Sequence, residues 1–579
     1  GTRAGSNNRW LLYGGGSANT DWFKEMYRNW SPSQEHNLSI SGGTEKVTYL
    51  ISGNFLDQKG LIRHGKDKFN RYSLNGKINA RVSDWFSINY NNRWVREEYS
   101  RPSYMTGLFF HNIARRWPTN AVLDPNGHYI EGNEILQMRD GGIDRDQKDY
   151  LYQQLQFEFE PVKDWFIRLE GNYNTINRFN HWDVLPIIAY DSDNEPFYAP
   201  WSGGDAGQSR VSETAWRENF MSTKIYTDYT KTLDDMHTFT GLLGTDIHLM
   251  KTRNVGGTKK DLITPLVPTI NTATNDTPSL YGGYGHWSTL GFFGRLNYNF
   301  MEKYLFEANV RRDGTSRFVG NKTWGIFPSF SVGWNVAREN FFAPLSDRIS
   351  SLKLRASWGQ LGNMNTKAWY PFFLAMPIGT GNGSWLVDGK RPNTSSAPGI
   401  VSSLMTWETI QSWDVGLDWI ALNGRFTGTL DVFNRTTKDM IGPAPELSDI
   451  LGTGVPKVNN ADMEAYGWEL EMNWRDRIRD FSYGIKLVLS DNREKILRYP
   501  NDTKNLNNWY AGEIRGDIWG YTTAGIAQTD QEMQDHLANN KPTWGRDWTA
   551  GDIMYRDLNG DKEVNSGKGT LDDHGDLKI

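Results

Sequence analysis

Apolar and polar residues alternate with a period of two through most of this chain. Leu352, Leu354, Ala356 and Trp358 alternate with Lys353, Arg355 and Ser357. Tyr466, Trp468, Leu470, Met472 and Trp474 alternate with Gly467, Glu469, Glu471 and Asn473, and Leu151, Leu155, Phe157 and Phe159 face away from Tyr152, Gln154, Gln156, Glu158 and Glu160. Period two is the signature of a β-strand with one apolar and one polar face. The strands come in pairs joined by a few residues: 67–81/85–98, 149–160/165–178, 213–231/237–251, 286–300/304–314, 410–419/424–436 and 463–474/480–490. Between the pairs lie long connections: 99–148, 179–212, 252–285, 361–409, 437–462 and everything after 490. Antiparallel neighbours put every short turn at one end of the sheet and every long connection at the other. A transmembrane β-barrel sorts its loops in this way, long ones outside; a soluble sandwich has no reason to. The reading is an all-β, antiparallel transmembrane barrel with sixteen strands here, from 37–43 and 46–57 to 480–490. Residues 339–345 form a helical turn between strands 323–337 and 351–360.

Composition sharpens this. The 579 residues contain 25 Trp, 26 Tyr and 27 Phe, and aromatics gather at strand ends beside the short turns: Trp85-Phe86, Trp165-Phe166, Tyr304 and Trp419. The repeated Asp84-Trp85-Phe86 and Asp164-Trp165-Phe166 place rings at one height on successive hairpins, as an interfacial girdle requires. Mean hydropathy is -0.64 and no apolar run is long enough for a transmembrane helix; a barrel passes that test because only alternate residues meet lipid. With no cysteine, disulfides, thiolate metal sites and a cysteine nucleophile are excluded. A net charge of -5 with no basic face gives no footing for nucleic acid. The organisation expected is a lead-in segment (1–34), the barrel with its extracellular loops (35–490) and a structured extracellular subdomain (491–579). With no signal peptide at Gly1 and no closing strand before Ile579, the chain reads as a fragment.

The sharpest local motif is residues 557–565. Asp557, Asn559 and Asp561 at positions 1, 3 and 5, then Glu563 at position 7 through its carbonyl, match the start of a calcium loop. Position 6 is Lys562 rather than glycine, and position 12 is Lys568 rather than an acid; Asp572, Asp573 or Asp576 would have to complete the shell. Bound Ca2+ and a metal-free network of Asx turns both fit. Aromatic rings in the long loops, with acids and amides beside them, suit sugar faces and hydroxyls. Trp369, Tyr370, Trp385, Trp407, Trp509 and Tyr510 are the candidate substrate contacts, alongside Trp182, Trp201, Trp287, Trp544 and Trp548; packing within the loops or against a partner is the bland alternative. Residues 312–317 read as a structural corner, with Gly314 relaxing the backbone and Arg pairing with Asp across strands. The ten histidines are dispersed and there is no H-E-x-x-H, so no enzyme is expected.

Six segments, in order, resemble the SusC-like (SusC/RagA-type) family of TonB-dependent outer-membrane transporters: 36–45 (HNLSISGGTE), 312–318 (RDGTSRF), 325–334 (GIFPSFSVGW), 354–363 (LRASWGQLGN), 520–525 (GYTTAG) and 551–561 (GDIMYRDLNGD). The resemblance implies a 22-stranded barrel in the outer membrane of a Gram-negative bacterium. It also implies an N-terminal plug and TonB box before Gly1, about five further strands after Ile579, and a SusD-like lipoprotein lid. Energy would come from the TonB complex through the plug, and the cargo would be an oligosaccharide or a peptide. Trp-rich loops tilt the expectation towards oligosaccharide. A surface adhesin that binds glycan without transport is the reading from another class.

Overall fold

The computed structural model describes residues 3–12, 16–199, 209–366, 368–376, 378–379, 385–395, 398–401, 405–443, 457–545 and 547–579. Sixteen long strands follow one another in chain order through a single sheet. They are β1 Ser33–Gly43, β2 Val47–Lys59, β3 Lys68–Ser83, β4 Phe86–Pro102, β5 Ile143–Val162, β6 Trp165–Val184, β7 Arg210–Leu233, β8 His237–Lys260, β9 Ser279–Phe300, β10 Tyr304–Thr315, β11 Trp324–Asn335, β12 Ile349–Asn363, β13 Glu408–Ala421, β14 Phe426–Ile441, β15 Asn459–Ile478 and β16 Phe481–Arg498. The pairings β1 to β6 and β9 to β16 are all antiparallel.

The short turns have the backbone that hairpin twist demands. Asp234-Asp235, Met301-Glu302 and Leu422-Asn423 all have positive φ, matching the primed turns whose twist follows that of the strands. The short connection β11–β12 carries the expected helical turn as a 3-10 helix, Asn340–Leu345.

Several strands outrun the sequence reading on the long-loop side. Greasy alternation stops where both faces meet water, but the ladder continues on ion pairs between neighbouring strands. Arg96 meets Asp149 at 2.7 Å, Arg101 meets Asp144 at 2.9 Å and Arg178 meets Asp146 at 2.6 Å. So β5 begins at Ile143 and β6 ends at Val184, and β16 reaches Arg498, which starts the C-terminal subdomain later than 491.

Contacts divide the chain into two compact units, 1–227 with 246–288, and 228–245 with 289–579. In the first, the rings beside the turns stack as a girdle: Phe86 lies 4.8 Å and Trp85 6.2 Å from Phe159. In the second, register aligns Leu354, Leu417, Leu430, Leu470 and Leu489 in one row across five strands. Trp419, Phe426 and Trp474 pack below that row at 5.9 and 6.4 Å. The opposite face carries Arg355, Asp431 and Glu469 in the next row. Leu354, Val432, Ile485 and Leu489 stay 40–66% exposed. An apolar face of this extent is covered by lipid rather than by water.

Candidate functional site

In the first unit the long connections build a core of their own. The helix Trp22–Met26, capped by Asp21, the helix Gly107–Arg115 and the helix Glu134–Asp140, capped by Asn133, bury Trp22, Met26, Phe109, Ile113, Ile135 and Met138 with Ile62. Trp22 donates its indole N–H to the Trp117 carbonyl at 3.2 Å. The buried Arg116 guanidinium lies 5.0 Å from the Trp22 ring centroid and pairs with Glu134. Arg9 sits 4.3 Å over Phe197 and 3.6 Å from Glu131, whose carboxyl burial pushes above its ordinary range, against the pull of Arg9. Within the expected lead-in segment, Trp22 and Met26 thus pack against residues of the long connection after β4. The signals for it were present: Asn133 as an N-cap before Glu134, and Phe109 and Ile113 one turn apart.

The polar face of this unit mixes amides with charged residues, among them Lys77, Arg93 and Glu170 and the pair Arg168–Glu158 at 2.6 Å. Asn91 donates to Gln154 at 2.9 Å and Asn89 to Gln156 at 3.3 Å; Asn75 donates to Ser52 at 3.2 Å and Asn172 to Ser222 at 3.1 Å. Sequence reading missed this face by treating all polar faces alike, although pairs such as Asn89/Asn91, Gln154/Gln156 and Asn172/Asn174 repeat at period two.

In the second unit the polar face is charged and paired. Arg355 reaches Asp414 and Asp418 at 3.2 Å each and Asp431 at 2.5 Å. The last contact crosses β13 at Gly416, where a Cβ would lie 2.4 Å from the guanidinium carbon. The corner at 312–317 is structural, with different contacts from those expected. Arg311 pairs with Asp313 along one strand at 2.8 Å, since residues two apart share a face. Gly314 provides close approach to the Trp324 ring, where a Cβ would come within 3.0 Å. Arg317 is buried and directs its guanidinium to the Met364 and Thr366 carbonyls, both at 3.4 Å.

The six candidate aromatics separate by exposure. Trp407 packs on Phe318 and Phe327 and donates to the Thr323 carbonyl at 3.2 Å, and Tyr510 is buried with its hydroxyl accepting from Trp519 at 3.2 Å. Both side chains are buried in packing contacts within the chain, unlike the other four candidates. Trp369 and Tyr370 are half-buried. Trp385 is 59% and Trp509 37% exposed, Trp509 lying beside Tyr499 and under Arg515, which pairs with Glu494. Trp544 and Trp548 pack with Tyr521 and Tyr555; Trp201 lies outside the described residues.

At 557–563 the carboxylates turn onto the backbone. Asp557 accepts from the N–H groups of Asn559, Gly560 and Lys562 at 2.7–3.1 Å, and Asp561 from Glu563 at 2.8 Å. Burial works to raise the Asp557 pKa, yet these amides hold it below the usual carboxylate range. Lys562 has φ +71, the left-handed turn that position 6 of a calcium loop requires. Of the three distal acids, Asp576 reaches the loop, accepting from Leu558, Asn559 and Asn565. Asp572 pairs with Lys504 and Asp573 lies 3.9 Å from Lys568. Among the described residues no three carboxylate or imidazole side chains converge as a metal cage.

Residues 99–572 match the family described as TonB dependent receptor-like, beta-barrel. The chain is 26% identical to TonB-dependent receptor SusC of Bacteroides thetaiotaomicron, over 95% of this chain and 55% of that protein. It is also 26% identical to TonB-dependent receptor P39 of Formosa agariphila, over 86% of this chain and 46% of that protein. It thus spans about half the length of the curated relatives it matches. Among solved structures, the RagAB peptide transporter superposes with a TM-score of 0.74 at 20% identity, over 89% of this chain and 56% of that one.

Proposed function

The chain belongs to the TonB-dependent receptor β-barrel family of the Gram-negative outer membrane, and from that premise we propose that it forms the wall and outer binding surface of an importer of oligosaccharides. Membership in a receptor family agrees with the expectation that it is no enzyme. The observation that carries the cargo reading is the open pair of indoles in the long connections, Trp385 and Trp509. Trp509 lies beside a guanidinium and a carboxylate. A flat ring accepts the apolar face of a sugar while neighbouring charges take its hydroxyls. A SusD-like lipoprotein would close over the long connections, and TonB would supply the energy. Ca2+ would be held structurally by Asp557, Asn559 and Asp561 with the Glu563 carbonyl; the left-handed Lys562 and the arrival of Asp576 support this.

The test is calorimetric titration of the whole transporter with its lipoprotein against neutral hexasaccharides and against mixed peptides. Saccharide binding weakened about tenfold or more by Trp509→Ala or Trp385→Ala, worth about 1.4 kcal/mol, supports the reading. Peptide binding with no saccharide binding sinks it. Peptide cargo is the second reading, favoured by the likeness to the RagAB peptide transporter, which at 20% identity is a likeness of fold.

A further inference from the structure

We infer that the outward face of β7 and β8, at the top of the apolar band, binds the phosphate-bearing headgroup of a lipid of the outer leaflet. The site is independent of the cargo reading and rests only on the barrel's place in the outer membrane.

Height follows from counting along a strand. Trp165, in the girdle at the short-turn end, donates its indole N–H to Thr227 Oγ1 at 2.8 Å. Arg217 lies ten residues farther along β7 on the same face. That is about 33 Å along the strand and, at a tilt of about 40°, about 25 Å up. The apolar band of such a barrel is about 25 Å tall, so Arg217 stands where hydrocarbon gives way to headgroups. Arg96, also ten residues beyond its girdle residue Phe86, marks the same height on β4.

Register brings further cations to this level. Asn177 lies opposite Arg217 and accepts from its Nε at 2.7 Å. On the other side, Thr258 donates to Ser212 at 3.0 Å and Thr230 meets Thr240 at 2.9 Å. These contacts fix one unbroken antiparallel register, which sets Arg253 opposite Arg217 and Lys251 opposite Asn219. A Cβ on Gly257 would lie 2.7 Å from the Leu280 side chain; four residues inward, Tyr284 of β9 stands beside Arg253. Arg217, Lys251 and Arg253 are all exposed.

Among the described residues none of the three cations meets a carboxylate. The acids of this face are taken: Asp149 is held by Arg96 at 2.7 Å and Glu213 by His181 at 2.6 Å. Like charges directly opposite on neighbouring strands repel, yet β7 and β8 keep two arginines in that position with a lysine one step below. An anion between them removes the repulsion, and arginine suits phosphate because it offers two parallel N–H bonds. Below the cations the same face is apolar, with Met221, Ile225 and Ile247 39%, 48% and 51% exposed. A lipid whose headgroup sits on the cations lays its acyl chains along this strip. A free anion gains nothing from the strip, and a soluble partner does not reach it.

The test uses the whole transporter with its lipoprotein, purified in dodecyl maltoside, and monophosphoryl lipid A followed by native mass spectrometry. The triple variant Arg217→Gln/Lys251→Gln/Arg253→Gln should bind this lipid about tenfold or more weakly, whereas Lys163→Gln, at a short turn, should bind it as wild type does. Removing the phosphate from the lipid should weaken wild-type binding by a similar factor, and excess inorganic phosphate should not displace the lipid. Heat-modifiable electrophoretic mobility confirms that each variant is a folded barrel. Equal lipid binding by wild type and triple variant overturns the site, as does equal binding of the lipid without its phosphate. Displacement by inorganic phosphate reduces it to a site for free anions and overturns the lipid assignment. Loss of the lipoprotein from the triple variant, with lipid binding intact, assigns the cations to a protein partner and overturns it too.

Discussion

Replacing Leu470 by Arg should be far more costly than replacing Glu469 by Lys, though the two residues are adjacent. On β15 the apolar face runs Trp474, Met472, Leu470, Trp468, Tyr466, and the aromatic Trp474 and Tyr466 lie four residues to either side of Leu470. At about 3.3 Å per residue, each ring is about 13 Å away along the strand. Leu470 therefore sits at the centre of the band between the two interfaces, in the leucine row completed by Leu354, Leu417, Leu430 and Leu489. An Arg facing lipid at the midplane costs about 2–4 kcal/mol, which lowers the folding equilibrium constant about 30-fold to several hundred-fold. Glu469 points to the other face and pairs in register with Asp431; a Lys there gains a carboxylate neighbour and stays hydrated, so its cost should be under about 1 kcal/mol. The assay is reversible folding into liposomes from urea, read by tryptophan fluorescence and electrophoretic mobility. Equal costs for the two variants would refute the assignment of faces.

Four other outcomes follow from particular contacts. Phe109→Ala empties the centre of the loop core and should cost that layer about 3–5 kcal/mol, seen as faster hydrogen exchange in 107–140 with the strands unchanged. Gly416→Ala puts a methyl in the path of the Arg355 guanidinium and should loosen its contact with Asp431, costing about 1–3 kcal/mol; a urea midpoint equal to wild type would show that the crossing has room to spare. Because the folded Asp557 carboxyl is held below its ordinary value, its contribution is complete above the unfolded pKa and is lost as pH falls through the folded one; protease cleavage within 553–565 should stay flat from pH 7 to about 5 and rise only in stronger acid. Calcium removal should speed cleavage of 499–579 without unfolding the barrel, and a rate unchanged by chelator would leave the loop a network of Asx turns.

Much of the architecture was legible because a membrane imposes a simple code. Period two with one face apolar, and short turns alternating with long connections, located all sixteen strands, since a one-residue slip would turn Leu470 and Glu469 to the wrong sides. Strand ends were less legible: Arg96, Arg101 and Arg178 extend the ladder by pairing with acids on the neighbouring strand, and that choice of partner depends on register. The loops were least legible. Trp407 and Trp385 look alike in sequence, yet Phe318 and Phe327 from other parts of the chain bury one while the other stays open. Likewise, Trp22 joins Phe109 and Ile135 through contacts that no local pattern announces.

The central claim is that the long connections all lie outside the cell and the short turns all lie inside. Single cysteines at Glu195 and Gln531 in the long connections, and at Lys163 and Asp480 in the short turns, test it on intact cells carrying the whole protein. All four sites are exposed, so access depends on the side of the membrane. A membrane-impermeant maleimide should label positions 195 and 531 on intact cells and reach 163 and 480 only after the outer membrane is permeabilised. Labelling of either turn on intact cells, or protection of either long connection until permeabilisation, would contradict the account.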